Sequence, residues 1–221
     1  MTWIKICGIM TLQDALTAVR AGADAIGFVF HNQSPRNITP EAARAIVERL
    51  PEKTEKIGVF VNQPAERIAD MADRAQLSGV QLHGDEYRDP VCAVNRRVLL
   101  SIPADRAATD SPSLRSALER MKENLIAIMV DSGSPKRRGG TGRTFEWNQA
   151  FAWITELQRL RPVVVAGGLN PGNVQEAMRI LQPWGVDVSS GVEAAPGRKD
   201  QDKIRAFVEA VRMADVRNSK N

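Results

Sequence analysis

Trp3-Ile4-Lys5-Ile6-Cys7-Gly8-Ile9 is an apolar run that ends on a cysteine and a glycine, and a helical pattern begins near Thr11. A strand that turns through glycine into a helix is the opening unit of an α/β protein. Outward from that unit the pattern repeats. Strand-like runs are expected at 3–7, 25–30, 56–61, 79–83, 97–102, 125–130, 162–166 and 185–189. Helical patterns fall between them at 11–21, 40–50, 64–75, 86–94, 113–122, 147–160 and 171–181, with a last one at 202–213. Pro40, Pro64 and Pro171 sit where a first helical turn tolerates a missing N–H. Eight strands, each followed by a helix, is the composition of a closed (β/α)8 TIM barrel. An open doubly wound sheet uses the same units. Against it, no G-x-G-x-x-G follows the first strand, and the glycine-rich stretches come after the sixth, seventh and eighth. The expectation is one TIM-barrel domain over 1–221, a closed parallel eight-stranded sheet ringed by helices, with 217–221 a frayed polar tail.

The bulk numbers set limits on function. With 43% hydrophobic residues in 221, the chain has the material for a sizeable core, and its net charge is only +4. The basic residues are scattered among acids with few aromatics, a poor footprint for nucleic acid. The two cysteines, Cys7 and Cys92, lie outside any C-x-x-C or Cys/His spacing, which speaks against a zinc site and a disulfide scaffold and suits a reducing cytoplasm. Cys92, between Val91 and Ala93 in a helical stretch, is expected to be packing. The chain shows no basic-then-apolar leader and no apolar run long enough to span a membrane. No apolar dimer stripe stands out, so a monomer is the default expectation, with a dimer possible.

In a barrel the chemistry lies on the loops that follow the strands. Cys7 stands at the end of the first strand and Asp131 at the end of the sixth. A lone strand cysteine is more often a small hydrophobe, and an aspartate before a glycine-rich loop is often a cap. Together on one rim, however, a thiolate that takes a proton from carbon and a carboxylic acid that gives one to oxygen suit an isomerisation without a cofactor. No metal ligand set and no dinucleotide fingerprint is apparent. Gly167-Gly168 and Ser190-Gly191 follow the seventh and eighth strands, where bare amides at helix starts bind phosphate. The loops after the third and fourth strands lack a matching glycine pair, so a substrate with one phosphate is expected. Arg36, in the stiff His31–Asn37 loop, offers a two-pronged guanidinium to a carboxylate, or is merely a surface arginine. His83 stands at the lip of the fourth strand, where a hydrogen-bonded structural histidine is the commoner case. The basic loop Lys136-Arg137-Arg138-Gly139-Gly140-Thr141-Gly142-Arg143 either closes over an anionic substrate or is a solvated loop.

Side chains alternate along a strand, so with Cys7 in the barrel mouth Lys5 points into the interior beneath it. The same alternation turns Asp187 inward with Ser189. The first and eighth strands are neighbours once the barrel closes, and a buried ammonium is costly unless paired. A Lys5–Asp187 ion pair under the site follows, one that would fix the first strand and favour the Cys7 thiolate.

Several stretches, in order along nearly the whole chain, resemble the phosphoribosylanthranilate isomerase family, the tryptophan-pathway barrels. They are Lys5-Ile6-Cys7-Gly8-Ile9, Ser34-Pro35-Arg36, Gly58-Val59-Phe60-Val61-Asn62, Val80-Gln81-Leu82-His83-Gly84-Asp85-Glu86, Gly139-Gly140-Thr141-Gly142, Ala166-Gly167-Gly168-Leu169-Asn170-Pro171 and Val186-Asp187-Val188-Ser189-Ser190-Gly191-Val192-Glu193. Each is weak alone; their order makes the resemblance specific. Met10 and Asn37 depart from the family's usual threonine and aromatic. The resemblance implies the Amadori rearrangement of N-(5-phosphoribosyl)anthranilate to 1-(2-carboxyphenylamino)-1-deoxyribulose 5-phosphate, third step of the tryptophan branch from chorismate. It implies Asp131 as general acid, Cys7 as general base and Arg36 as holder of the anthranilate carboxylate. His83, Gly140, Gly142, Gly167, Gly168, Ser190 and Gly191 are then substrate-binding candidates, with no cofactor and no metal. Two alternatives stay open: a barrel that also rearranges the doubly phosphorylated histidine-pathway intermediate, and a catalytically silent phosphosugar-binding barrel.

Overall fold

In the computed structural model of the chain, residues 1–85, 96–104, 112–132 and 144–218 are described. Eight parallel strands close on themselves in chain order: β1 (Trp3–Ile6), β2 (Ala25–Val29), β3 (Glu55–Phe60), β4 (Gly79–Leu82), β5 (Arg97–Pro103), β6 (Leu125–Asp131), β7 (Val163–Val165) and β8 (Gly185–Val188). The seam is the β1–β8 pairing, which sets Trp3 opposite Gly185 and Lys5 opposite Asp187. The fold is therefore the TIM barrel that the alternation predicts.

Among the described residues the helices are α1 (Leu12–Ala21), α2 (Pro40–Val47), α3 (Ala65–Arg74), α4 (Pro112–Arg120), α5 (Trp147–Gln158), α6 (Val174–Leu181) and α7 (Gln201–Asn218). Local chemistry sets their ends. The Thr11 hydroxyl accepts from the Asp14 amide at 3.2 Å, and Gly22 closes α1 in the left-handed region at φ 104°. Thr39 caps α2, with Pro40 in its first turn.

Alternation sorts the side chains into layers. Ile4, Ile6, Ile26, Phe28 and Phe60 face outward into the shell between sheet and helices. Trp3, Ala25, Ile57, Leu99, Ala127, Met129 and Val164 fill the barrel's interior, and Cys7, Val29 and Val59 form a small cluster of their own. Each fully buried Ile or Phe contributes roughly 1.5–3 kcal/mol over exposure.

The structure corrects several expected boundaries. Pro171 does not begin a helix: it lies in a turn in which the Asn173 and Val174 amides donate to the Asn170 carbonyl, and α6 starts at Val174. Pro64 is the N-cap of α3 rather than its first residue. The last helix continues to Asn218, so two residues of the expected tail, Arg217 and Asn218, are helical. A 3-10 turn (Ser190–Val192) and a two-stranded hairpin, β9 (Glu193–Ala195) and β10 (Arg198–Lys199), follow β8 and were not anticipated. The helix expected at 86–94, with Cys92, lies outside the described residues.

Candidate active site

Cys7 is the first residue past β1, 7% exposed, at the C-terminal end of the barrel. Room for its thiol comes from Gly27 on β2, where a Cβ would lie 2.8 Å from Cys7 Sγ and 3.0 Å from Lys5 Cε. Below it Lys5 is fully buried, and its Nζ donates to Asp187 Oδ1 at 2.7 Å and to Gln81 Oε1 at 2.9 Å. The ion pair expected from strand alternation is present, with Gln81 as a further partner. Gln81 Nε2 meets His83 Nδ1 at 3.2 Å, so the histidine at the lip is tied into the same interior network.

Electrostatics around Cys7 oppose one another. Burial pushes the thiol up most strongly, and the Lys5 ammonium beneath it pulls it down. Asp187 pushes up and Lys199 pulls down in smaller measure, and the balance lies above the usual thiol value. For Lys5, burial favours the neutral amine, but the Asp187 carboxylate, with the Cys7 sulfur adding to it once ionised, outweighs burial and keeps the side chain an ammonium. The resting pair is thus a thiol over a lysine cation, not the favoured thiolate expected from the ion pair, because burial outweighs Lys5; proton loss from sulfur would leave a thiolate beside that cation.

Arg36 comes in over Gly8, whose φ of +74° and lack of a side chain let the Arg36 Cδ approach to 2.5 Å from where a Cβ would stand. The Ser34 hydroxyl accepts from the Arg36 amide at 3.1 Å and shapes the loop. The guanidinium grips Glu193 with both prongs, Nε to Oε1 at 2.7 Å and Nη2 to Oε2 at 2.8 Å. Lys199 Nζ reaches the same carboxylate at 2.9 Å and the Ser189 carbonyl at 3.0 Å, its side chain fully buried. Burial acts to raise the Glu193 carboxyl, yet Arg36 and Lys199 hold it below the usual range. Arg36 is therefore not the plain surface arginine that spacing alone would allow. In the sequence Glu193 stands out only as part of a motif and Lys199 not at all; their residue types carry no signal until the hairpin brings them to Arg36.

Asp131 is the last residue of β6, half-buried on the same rim, and its carbonyl accepts from Ala104 N at 2.8 Å. Next to it Ser132 packs on Gly167: a Cβ there would stand 2.1 Å from the Ser132 Oγ. Gly167 and Gly168 both have positive φ, +85° and +68°, and among the described residues their amides donate to no acceptor. A Cβ on Gly191 would lie 1.8 Å from the Leu169 carbonyl oxygen, so the loops after β7 and β8 touch backbone to backbone. Ser190 and Gly191 open the 3-10 turn, whose first amides lack a partner within it. Gly140, Gly142 and the basic stretch 136–143 lie outside the described residues. A separate groove of about 500 Å³, lined by Arg115, Trp153 and Leu160 among others, sits where α5 leads toward β7, at the other end of the barrel from Cys7.

Fold and rim together define a class: a (β/α)8 barrel with a thiol, a carboxyl group and an anchored guanidinium around one mouth. The family described as N-(5'phosphoribosyl)anthranilate (PRA) isomerase matches residues 4–210. A relative from Geotalea uraniireducens, N-(5'-phosphoribosyl)anthranilate isomerase, is 46% identical over 209 residues, 94% of this chain and 97% of its own. The phosphoribosyl anthranilate isomerase structure from Thermotoga maritima superposes with a TM-score of 0.83 at 40% identity, covering 96% of this chain and 100% of that one. Another, in complex with reduced 1-(o-carboxyphenylamino)-1-deoxyribulose 5-phosphate, gives 0.79 at 39% identity, with 96% and 100% covered. The chain belongs to the N-(5'-phosphoribosyl)anthranilate isomerase family.

Proposed function

We propose that this chain rearranges N-(5'-phosphoribosyl)anthranilate to 1-(2-carboxyphenylamino)-1-deoxyribulose 5-phosphate, with Asp131 as acid and Cys7 as base. The observation that carries the reading is Cys7 seated over the buried Lys5 ammonium, on the same barrel rim as Asp131 and Arg36. Asp131 gives its proton to the furanose ring oxygen as the C1–O bond breaks, and the anthranilate nitrogen's lone pair forms the C1=N bond. Cys7, once it has given its own proton to solvent, takes the proton from C2 as a thiolate; the C–H electron pair becomes the C1=C2 bond and the C1=N π pair returns to nitrogen. The resulting enolamine tautomerises to the ketone. Lys5 keeps the thiolate from standing as an isolated buried charge. Arg36 receives the carboxylate, and the Gly167, Gly168, Ser190 and Gly191 amides receive the single phosphate. His83 acts through its hydrogen bond to Gln81.

We place this activity in the cytoplasm, in keeping with a chain in which no described helix is long and apolar enough to cross a membrane. The chain is taken as one domain and as a monomer. The test is fluorescence-monitored consumption of phosphoribosylanthranilate by wild type, Cys7→Ala and Asp131→Asn. Turnover in wild type should fall by about 10²–10⁴ in each variant, the contribution of a positioned acid or base. Near-normal turnover in either variant would remove that residue from its role. No turnover in folded wild type would point to the silent phosphosugar-binding barrel.

A further inference from the structure

The buried Glu193 and Lys199 form a trio with the half-buried Arg36 that the acid–base chemistry does not use. Glu193 occupies the Nε/Nη2 edge of the guanidinium. Of its five N–H donors, three remain, and among the described residues the Nη1/Nη2 edge meets no acceptor. That second edge has the right geometry to take another carboxylate side by side. Charge is the difficulty. Arg36 with Glu193 alone is a neutral pair, and an arriving carboxylate would meet Glu193 as a like charge. Lys199 changes the sum: its ammonium, fully buried and 2.9 Å from Glu193 Oε1, brings the trio to a net single positive charge. Lys203, a further cation on this side, is exposed, where solvent screens it, and donates to the Glu193 main-chain carbonyl at 2.9 Å. Burying an ammonium is costly and is weak support for stability, so its place here calls for another reason.

The hairpin supplies the framework. Its turn residue Gly197, at φ +78°, lets Pro35 O come within 2.6 Å and Met10 Sδ within 3.1 Å of where a Cβ would be, so the hairpin is seated on the loops after β1 and β2. We propose that Lys199 is a positioning residue for carboxylate recognition: it offsets Glu193, so that Glu193 can clamp Arg36 while the site keeps one net positive charge for the substrate. The proposal rests on the reading that Arg36 receives the substrate carboxylate.

The test compares two ligands, reduced 1-(o-carboxyphenylamino)-1-deoxyribulose 5-phosphate and its analogue with a plain phenyl ring, by their Kd ratio. In wild type the carboxylated ligand binds tighter. Lys199→Met lowers that preference by about tenfold, one charge interaction of roughly 1.4 kcal/mol, and leaves the phenyl analogue's Kd unchanged. Glu193→Gln, which raises the net charge, keeps the preference or increases it. The double variant Lys199→Met/Glu193→Gln returns to a single positive charge and regains the preference. The proposal is overturned if Lys199→Met leaves the ratio unchanged or weakens both ligands equally. It is also overturned if Glu193→Gln lowers the preference, or if the double variant is as poor as Lys199→Met. Arg36→Met separates the two levels: a ratio unchanged there removes the carboxylate reading itself, whereas a collapse there without one in Lys199→Met removes only the role of Lys199.

Discussion

Replacing Asp187 with asparagine removes the carboxylate that neutralises Lys5 in the barrel's interior. Lys5 has no exposed surface, and its Nζ lies 2.7 Å from Asp187 Oδ1. Removing one partner of a buried pair costs about 3–5 kcal/mol. Asparagine keeps an acceptor, and Gln81 Oε1 remains at 2.9 Å, so the lower end of that range is expected. The upper bound is set by Lys5 giving up its proton: from the ordinary 10.5 down to pH 7 this costs about 5 kcal/mol at 1.36 kcal/mol per unit. For a chain of this size about 3 kcal/mol corresponds to roughly 6–12 °C in Tm. The pH dependence has a definite sign. In wild type burial would lower the Lys5 pKa, but Asp187 and Cys7 hold it above 10.5. That contribution is complete below 10.5 and is lost only as pH climbs through the folded value, so it is the same at pH 7 and 9. In the variant burial prevails and the folded pKa falls below the unfolded one. The unfolded chain then binds more protons and stability rises with pH. Thermal unfolding at pH 7 and pH 9, with turnover measured alongside, should show a Tm deficit at pH 7 that narrows at pH 9, and slowed turnover. A deficit under about 2 °C at pH 7 with unchanged turnover would refute the pair's importance.

Arg36→Ala should raise KM for the carboxylated substrate by roughly 10–100-fold, the loss of charge-assisted hydrogen bonding, with a smaller effect on kcat; steady-state kinetics showing an unchanged KM would assign the carboxylate to another residue. Gly27→Ala places a methyl group 2.8 Å from Cys7 Sγ; overpacking of this kind costs about 1–3 kcal/mol, and kcat should fall more than KM rises as the thiol is displaced. Wild-type kcat in that variant would mean the thiol has freedom the packing denies it. In Gly191→Ala the new Cβ collides with the Leu169 carbonyl, so the loops after β7 and β8 must part, and inorganic phosphate should inhibit competitively with a weaker constant than in wild type. An unaltered inhibition constant would place the phosphate elsewhere.

Much of this is legible in the sequence. The alternation of strand and helix, and the absence of a dinucleotide turn after the first strand, sufficed for the closed barrel. The two-residue period of β1 turned Lys5 inward under Cys7, and closure of the sheet brought Asp187 to it. The hairpin was not legible, because three- and two-residue strands, Glu193–Ala195 and Arg198–Lys199, are too short to show a period. The turn at Asn170 hid the true start of α6, since a proline marks a turn as readily as a first helical residue. Gln81 gave no sign of reaching Lys5, because its own strand reads as ordinary barrel wall.

The sequence by itself determined the barrel, the rim on which Cys7, Asp131 and Arg36 stand, and the Lys5–Asp187 pair, since all of these follow from periodicity and strand order. Only the tertiary structure decided that Arg36 is clamped by Glu193, 157 positions away, and that Lys199 is buried against the same carboxylate. Periodicity says which way a side chain points along its own element. It does not say which charges from distant loops arrive within 3 Å of each other, and that is settled by how the loops pack, here through glycines that let backbone and arginine approach.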